Sequence, residues 1–298
     1  MFVKKVVIFS LVILAPFAFS DDKKKSSKAE KIRRLQEQKL SKPEAFNDRK
    51  AGVMDNGRMT MYFTNSGGIG DYAFQRTIQW PAGLRPAKNL IWEAGIMFGA
   101  VTADGDTITD EGYFDRDIPT EDIFNPEPGY DNPNYVFPPL NNTTIARSDV
   151  LESYPGRFGG KWPSVNKIFD PTELRNLARQ EAFYLMRDNN EPENANQGIK
   201  PIGVEIKCWT IEINSSLTRD FVYAYYRLKN ISGQNLRNCR FGIMVDPDMP
   251  ALVGAEFEDD DDGFIRDLNL AFARDSDNFY ASTPGVNIGL FGVKFLRS

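Results

Sequence analysis

The chain has 298 residues, a formal net charge of −5, 41% hydrophobic and 12% aromatic content, two cysteines and no histidine. The length allows one large domain or two modest ones, and the apolar fraction is enough for a packed core. The lack of histidine excludes Ser-His-Asp and Cys-His catalysis, His-ligated zinc, HExxH proteolysis and His-ligated haem, and two cysteines exclude a disulfide-rich scaffold.

The N-terminus has the build of an export signal. Lys4 and Lys5 precede an apolar run over residues 6–19 that only Ser10 and Pro16 interrupt, and Ala18 and Ser20 put small residues where a signal peptidase needs them. Residues 1–20 therefore predict a cleaved signal peptide, too short to span a membrane comfortably. No cysteine follows the run, so a lipoprotein anchor is excluded. Cleavage removes two lysines and carries the net charge from −5 to −7. That balance disfavours nucleic acid and anionic membrane as partners. The mature protein is thus expected at the cell surface or outside the cell, with the periplasm as the alternative, and without a membrane span.

Residues 21–56 form a charged spacer. Ile32, Leu35 and Leu40 give it a thin helical stripe, so it is expected to be partly helical. A β-rich domain is expected over residues 57–298. "RMTMYFTN" alternates, with Met59, Met61 and Phe63 on one face, which is a strand signal. "SGGIGDY" follows as a loop; it lacks the helix start and the Lys-Ser/Thr of a phosphate loop. Residues 90–101 are apolar enough for a buried strand, and Asp104-Gly105 supplies a hairpin turn that sends "ITDEGYF" back antiparallel. Residues 115–163 are irregular and rich in Pro, Asn and Asp. Their aromatics, among them Phe124, Tyr154 and Trp162, are expected to pin this excursion to the body; a carbohydrate platform is the alternative.

One helix is predicted at about 171–187. Asp170 serves as N-cap, Pro171 takes the first helical position, Glu173 follows three residues after the cap, and Leu174, Leu177, Ala178, Glu181 and Leu185 share a side. Three strands follow at 204–213, 221–229 and 239–245. The gaps are short and turn-rich, which forces antiparallel neighbours and predicts a meander. Both faces of the first two strands carry apolar or aromatic residues, so both are expected to be covered. In such a meander Cys208 and Cys239 lie two strands apart, nearly 10 Å, while a disulfide needs Cα atoms within about 7 Å. Two free, buried thiols are therefore predicted. The tail, "VNIGLFGVKFLRS", reads as a strand that either closes the sheet or belongs to a chain truncated at its C-terminus.

The acids gather in one place. Asp246 and Asp248 end the third meander strand, and Glu256, Glu258 and Asp259 to Asp262 follow. Calcium takes six to eight oxygens from carboxylates and carbonyls on flexible loops, so Asp246, Asp248, Asp260 and Asp262 are the candidate calcium ligands. The register is not that of an EF-hand, because Asn269 stands where a bidentate Glu is needed. A solvated acidic loop is the plain alternative. Paired carboxylates for glycoside hydrolysis are another, since that chemistry needs two acids and no histidine.

The segments "MYFTNSGGIGD", "LIWEAGIMFGAVTADGDTITDEG", "RSDVLESYPGRFGGKWP" and "FVYAYYRLKNISGQNLRNCRFGIMVDPDM", the last followed by "DDDDGF", resemble a group of large exported bacterial proteins of Bacteroidetes and Ignavibacteria type. Those proteins often end in a type IX secretion sorting domain. The resemblance implies a β-rich surface or released protein and carries over no catalytic residue. The expected fold is mainly β: an antiparallel β-sandwich-like domain with one packed helix and long irregular loops. The expected function is a non-catalytic exported module for structure or adhesion, with calcium as a candidate stabiliser and a cell-surface component or glycan as partner. A carbohydrate-binding module is the first alternative and a carboxylate-based glycoside hydrolase the second.

Overall fold

The structure is a computed structural model that describes residues 51–70, 77–83, 89–112, 124–126, 145–154, 161–163, 168–169, 179–188, 200–249, 260–276 and 289–296. The signal-peptide reading, and the spacer as far as residue 50, lie outside them. The strands in chain order are β1 (Ala51–Met54), β2 (Thr60–Thr64), β3 (Gly68–Ile69), β4 (Ile78–Gln79), β5 (Glu93–Val101), β6 (Thr107–Glu111), β7 (Asn125–Pro126) and β8 (Ile145–Arg147). Then come β9 (Trp162–Pro163), β10 (Ile168–Phe169), β11 (Arg179–Arg187), β12 (Val204–Ile213), β13 (Val222–Asn230), β14 (Arg237–Asp246), β15 (Asp260–Ile265), β16 (Leu270–Asp275) and β17 (Leu290–Lys294).

Two sheets stack into a sandwich. The first runs β1-β2-β3-β5-β14, with β4 on β2 and β6 on β5; the second runs β13-β12-β11, with β7 and β8 sharing the far edge of β11. All their pairings are antiparallel. Side chains alternate across a pleated strand, so every second residue of each sheet meets the other sheet. Phe63, Ile96, Phe98, Phe241 and Ile243 come from the first, and Ala182, Tyr184, Met186, Ile206 and Cys208 from the second. The Phe63 and Tyr184 rings stack at 5.4 Å between them. Each such side chain contributes roughly 1.5–3 kcal/mol by leaving water.

The second sheet is buried on its other face as well. Phe183, Leu185, Trp209 and Ile211 pack there against Ala146, Tyr154 and Trp162. The excursion is thus pinned by its aromatics where it is described: Phe124, Tyr154 and Trp162 are all buried. Tyr130, Tyr135, Phe137 and Phe158 lie outside the described residues.

Several expected elements are present. Met61 and Phe63 point into the core from β2, and β5 and β6 form the expected hairpin with Gly105 at φ 93° in its turn. The glycine-rich stretch after β2 also supplies β3, a two-residue bridge joining β2 to β5. The sheet begins at Ala51, inside the stretch read as spacer, because Met54 is fully buried against the core.

The predicted helix is corrected. Residues 179–187 form β11, a strand paired along its whole length with β12; residues 171–178 lie outside the described part. Ala182 to Met186 are five successive buried apolar residues, which would surround a helix on every side. A strand covered on both faces shows no alternation, so the run hides its period. Tertiary burial then overrides the helical stripe.

The meander is corrected in its last step. β12 pairs with β13 as expected, Cys208 lying opposite Tyr226, but β14 leaves for the first sheet and pairs with β5. Both thiols are free, yet only Cys208 is buried. Cys239 sits near the start of β14, where the register shifts between Arg237 and Arg240 and Asn238 takes φ 50°, and it is exposed. Native protein is therefore expected to titrate one thiol with a disulfide reagent, and the second only in denaturant. Two fast thiols in the native state would contradict the burial of Cys208.

Candidate functional site

The acidic run is not a loop throughout: Asp260, Asp261 and Asp262 form the first half of β15, paired with β16. Asp246 ends β14 opposite Glu93, and its carbonyl accepts the Trp92 N–H at 2.8 Å. Asp260 Oδ2 accepts the Met249 N–H at 2.7 Å, closing the described ends of the link between β14 and β15. Asp248 is half-buried beside both. Its carboxyl is pushed up to about 6, first by burial and then by the negative charges of Asp246 and Asp260. Asp262 is exposed and lies one pleat repeat, about 7 Å, further along β15. The structure thus gathers Asp246, Asp248 and Asp260 at one corner and leaves Asp262 outside it. Among the described residues no three acidic or cysteine side chains come close enough together to hold a metal ion. What the corner can do is repel itself as the pH rises.

A second polar cluster lies where the first sheet meets the second. Gln180 and Glu212 project from β11 and β12 toward the turn after β1. Gln180 accepts the Asp55 N–H at 2.9 Å and donates to Asp55 Oδ1 at 2.9 Å and to Asp149 Oδ2 at 3.0 Å. Arg147 holds Asp149 through two bonds of 2.6 and 3.0 Å. Burial works against the Asp149 carboxylate, but hydrogen bonds from Arg147 and Gln180 keep it below the usual range. Glu212 is wholly buried; its Oε2 accepts the Asn56 N–H at 2.6 Å, and its Oε1 has no hydrogen-bond partner. Burial, opposed by the backbone hydrogen bonds of Asn56 and Gly57, pushes the Glu212 carboxyl up to about 7. Gly57 is required here by close approach: a Cβ would stand 2.6 Å from the Arg219 carbonyl oxygen and 3.1 Å from Glu212 Oε1.

Two carboxyls with pKa values driven apart are the pattern of a general acid and a general base. Glu212 has no solvent-exposed surface, however, so no substrate atom reaches it. Its contacts instead fasten the turn after β1 to the second sheet. Three other buried carboxylates, on or next to β11 and β12, are committed in the same manner. Glu181 accepts from Trp162 Nε1 and pairs with Arg179. Glu205 pairs with Arg187 at 2.6 Å, and Asp188 accepts the N–H groups of Gly203 and Val204 at 2.8–3.1 Å.

Nothing matched the chain among the family models, curated proteins and solved structures compared with it. The functional reading therefore rests on the sequence and on the site.

Sequence reasoning passed over this second cluster. The signal was available: Glu205 and Glu212 interrupt "VEIKCWTIEI", a strand otherwise suited to burial on both faces, and buried acids need partners. The partners Asp55, Arg147 and Gln180 are distant in sequence and carry no mark of their own. Of the aromatics read as a carbohydrate platform, the described ones, Phe124, Tyr154 and Trp162, are buried, and aromatics elsewhere offer no platform among the described residues. Phe221 is exposed, but its ring is tilted 48° to that of Tyr223 at 6.5 Å, so the two offer no common plane. Trp209 and Tyr225 are covered by the Arg227 guanidinium, 5.4 and 5.8 Å above their rings.

Proposed function

We propose that this chain is an exported, non-catalytic module serving surface structure or adhesion, as its resemblance to large exported bacterial β-rich proteins implies. The observation that supports it best is the use made of the buried carboxylates. Glu181, Glu205, Glu212 and Asp188 each tie one segment of backbone or side chain to another, in a sheet covered on both faces. Enzymes keep such groups at the floor of a cleft, where substrate meets them; here they act as internal fastenings. The acidic corner has three neighbouring carboxylates and, among the described residues, no set that could hold a metal, which supports a solvated edge of the module over a calcium centre.

The test is to produce the full chain with its leader in a bacterial host. The mature protein is expected in the envelope or the medium, beginning at Asp21 by N-terminal sequencing. Incubated with starch, cellulose, chitin and xylan, it should release no reducing sugar and show no retarded migration in gels containing them. Its melting midpoint should be the same in calcium and in chelator. Retention in the cytoplasm with Met1 intact would sink the export reading. Sugar release, or retardation, would replace the structural reading by a hydrolase or a glycan binder.

A further inference from the structure

β15, β16 and β17 form a three-stranded antiparallel sheet of their own. Its inner face carries Ala273 and Phe291, which pack on the sandwich core. Its outer face is set by the register: Asp261, Gly263 and Ile265 on β15, Leu270, Phe272 and Arg274 on β16, and Leu290, Gly292 and Lys294 on β17. Arg274 meets Asp261 at 2.7 Å across the strands, and Phe272 lies over Gly263, whose Cβ would stand 2.7 Å from the ring. Nine large hydrophobic side chains are exposed among the described residues. Five of them, Phe264, Ile265, Leu268, Leu290 and Leu296, belong to this small unit. They do not share one face: Ile265 and Leu290 lie on the outer face at opposite edge strands, Phe264 on the inner face, Leu268 in the turn between β15 and β16, and Leu296 past the end of β17.

Among the described residues, β15 and β17 are the two edges of this sheet, and they differ. An edge strand offers unpaired backbone groups, and proteins that must not associate blunt it with charge or proline. β15 carries three successive aspartates, Asp260 to Asp262, and is blunted in that manner. Of the outer strands of the sandwich, β13 carries Arg227 and Lys229 and β14 carries Arg237 and Arg240, while β1 is uncharged but only four residues long. β17 carries only Lys294, at its end, and no proline.

The sequence of β17, Leu-Phe-Gly-Val-Lys, is self-complementary in the antiparallel sense. Centred on Gly292, a second copy would set Leu290 opposite Lys294, Phe291 opposite Val293 and Gly292 opposite itself. No like charges meet. Two aromatic–β-branched pairs form on the inner side, which is the favourable kind of cross-strand neighbour. On the outer side, the aliphatic stem of each Lys294 lies along a Leu290 and its ammonium reaches water.

We propose that β17 is a self-association edge: two copies of the chain pair through it about a two-fold axis at Gly292, making one six-stranded sheet. A two-fold contact of this type closes on itself and stops at the dimer, because the aspartates of β15 block the far edge.

The experiment is sedimentation velocity of the mature full chain across a concentration series, with two variants. Leu290 is 56% exposed, so either substitution leaves the monomer's core intact. Leu290→Lys places lysine opposite Lys294 at both ends of the ladder and is expected to weaken the dimer about tenfold or more. Leu290→Glu places a carboxylate opposite Lys294 and is expected to leave the dimer at least as tight as in the wild type. A wild type that stays monomeric overturns the proposal, as does equal weakening by both variants, which marks a non-specific apolar contact. Two variants that dimerise like the wild type place the interface elsewhere and also overturn it. If Leu290→Lys lowers the melting midpoint, Leu290→Glu against wild type carries the test alone: an apolar contact loses affinity on that change and a paired edge does not.

Discussion

Replacing Glu181 with alanine is expected to destabilise the protein by about 3–5 kcal/mol, the range for removing one partner from a buried ion pair. Glu181 sits in the middle of the second sheet with no exposed surface, on the face covered by the excursion. Its carboxylate accepts the Trp162 indole N–H and pairs with Arg179 through Nη2. Its backbone N–H donates to Ser148 Oγ at 2.9 Å, and its carbonyl accepts the Ser148 N–H at 2.8 Å. The alanine variant keeps those backbone bonds. It strands the Trp162 N–H in a dry site, takes its carboxylate partner from the partly exposed Arg179 guanidinium, and opens a cavity beside the Trp162 and Tyr154 rings, which lie 5.1 Å apart. Glutamine keeps an acceptor for Trp162 and loses only the charge, so Glu181→Gln should cost less, about 1.5–3 kcal/mol, as for a hydrogen bond to a charged group. Urea unfolding of the three proteins measures both. An alanine variant within 1 kcal/mol of the wild type would show that the excursion is not anchored through this carboxylate.

Glu212→Gln is expected to do the opposite, at one end of the pH scale. Burial raises the Glu212 carboxyl from 4.5 to about 7 in the folded state. A raised carboxyl favours folding while it is protonated in both states. Its contribution is complete below pH 4.5 and is lost as the pH rises to 7. The shift corresponds to about 3 kcal/mol. The glutamine variant still offers an oxygen to the Asn56 N–H and carries no charge to bury. It should therefore match the wild type near pH 4.5 and exceed it by up to about 3 kcal/mol at pH 8. The other groups around Glu212 are common to both proteins: Asp55, Arg147 and Asp149, the last holding its charge to low pH. Asp248, raised to about 6 at the far corner, acts in the same direction in both and cancels in the difference. Parallel stability–pH curves for the two proteins would show that Glu212 is not the group that titrates.

These outcomes depend on features that the sequence displays unevenly. β2 was legible because only one of its faces is buried: Met61 and Phe63 alternate with threonine and tyrosine. The β5–β6 hairpin was legible because Asp104-Gly105 writes its turn into two adjacent residues. β11 was not, since a strand covered on both faces loses its alternation, and the helix signals of Asp170 and Pro171 precede it in sequence. The partner of β14 was not legible either. Short connections imply adjacent strands only when the chain stays in one sheet, and the turn after β13 crosses to the other. Of the candidate site, the grouping of Asp246, Asp248 and Asp260 follows from their closeness along the chain. The cluster around Glu212 is assembled from β12, β11, β8 and the turn after β1, and local sequence does not show which distant groups a buried acid will meet.

That crossing from β13 to β14 has a consequence for how the chain acquires its shape. β5 cannot receive its neighbour on one side until β14 has been made, and Glu93 meets Asp246, which lies 153 positions further along the chain. Pairings so far apart in sequence come late and slowly, because a long loop must close before any of them is formed. The first sheet thus stays open beside β5 until residues 237–246 have been made. A ribosome-bound chain that ends at β13 would leave that flank of β5 without its partner strand, exposed to any other strand that reaches it first.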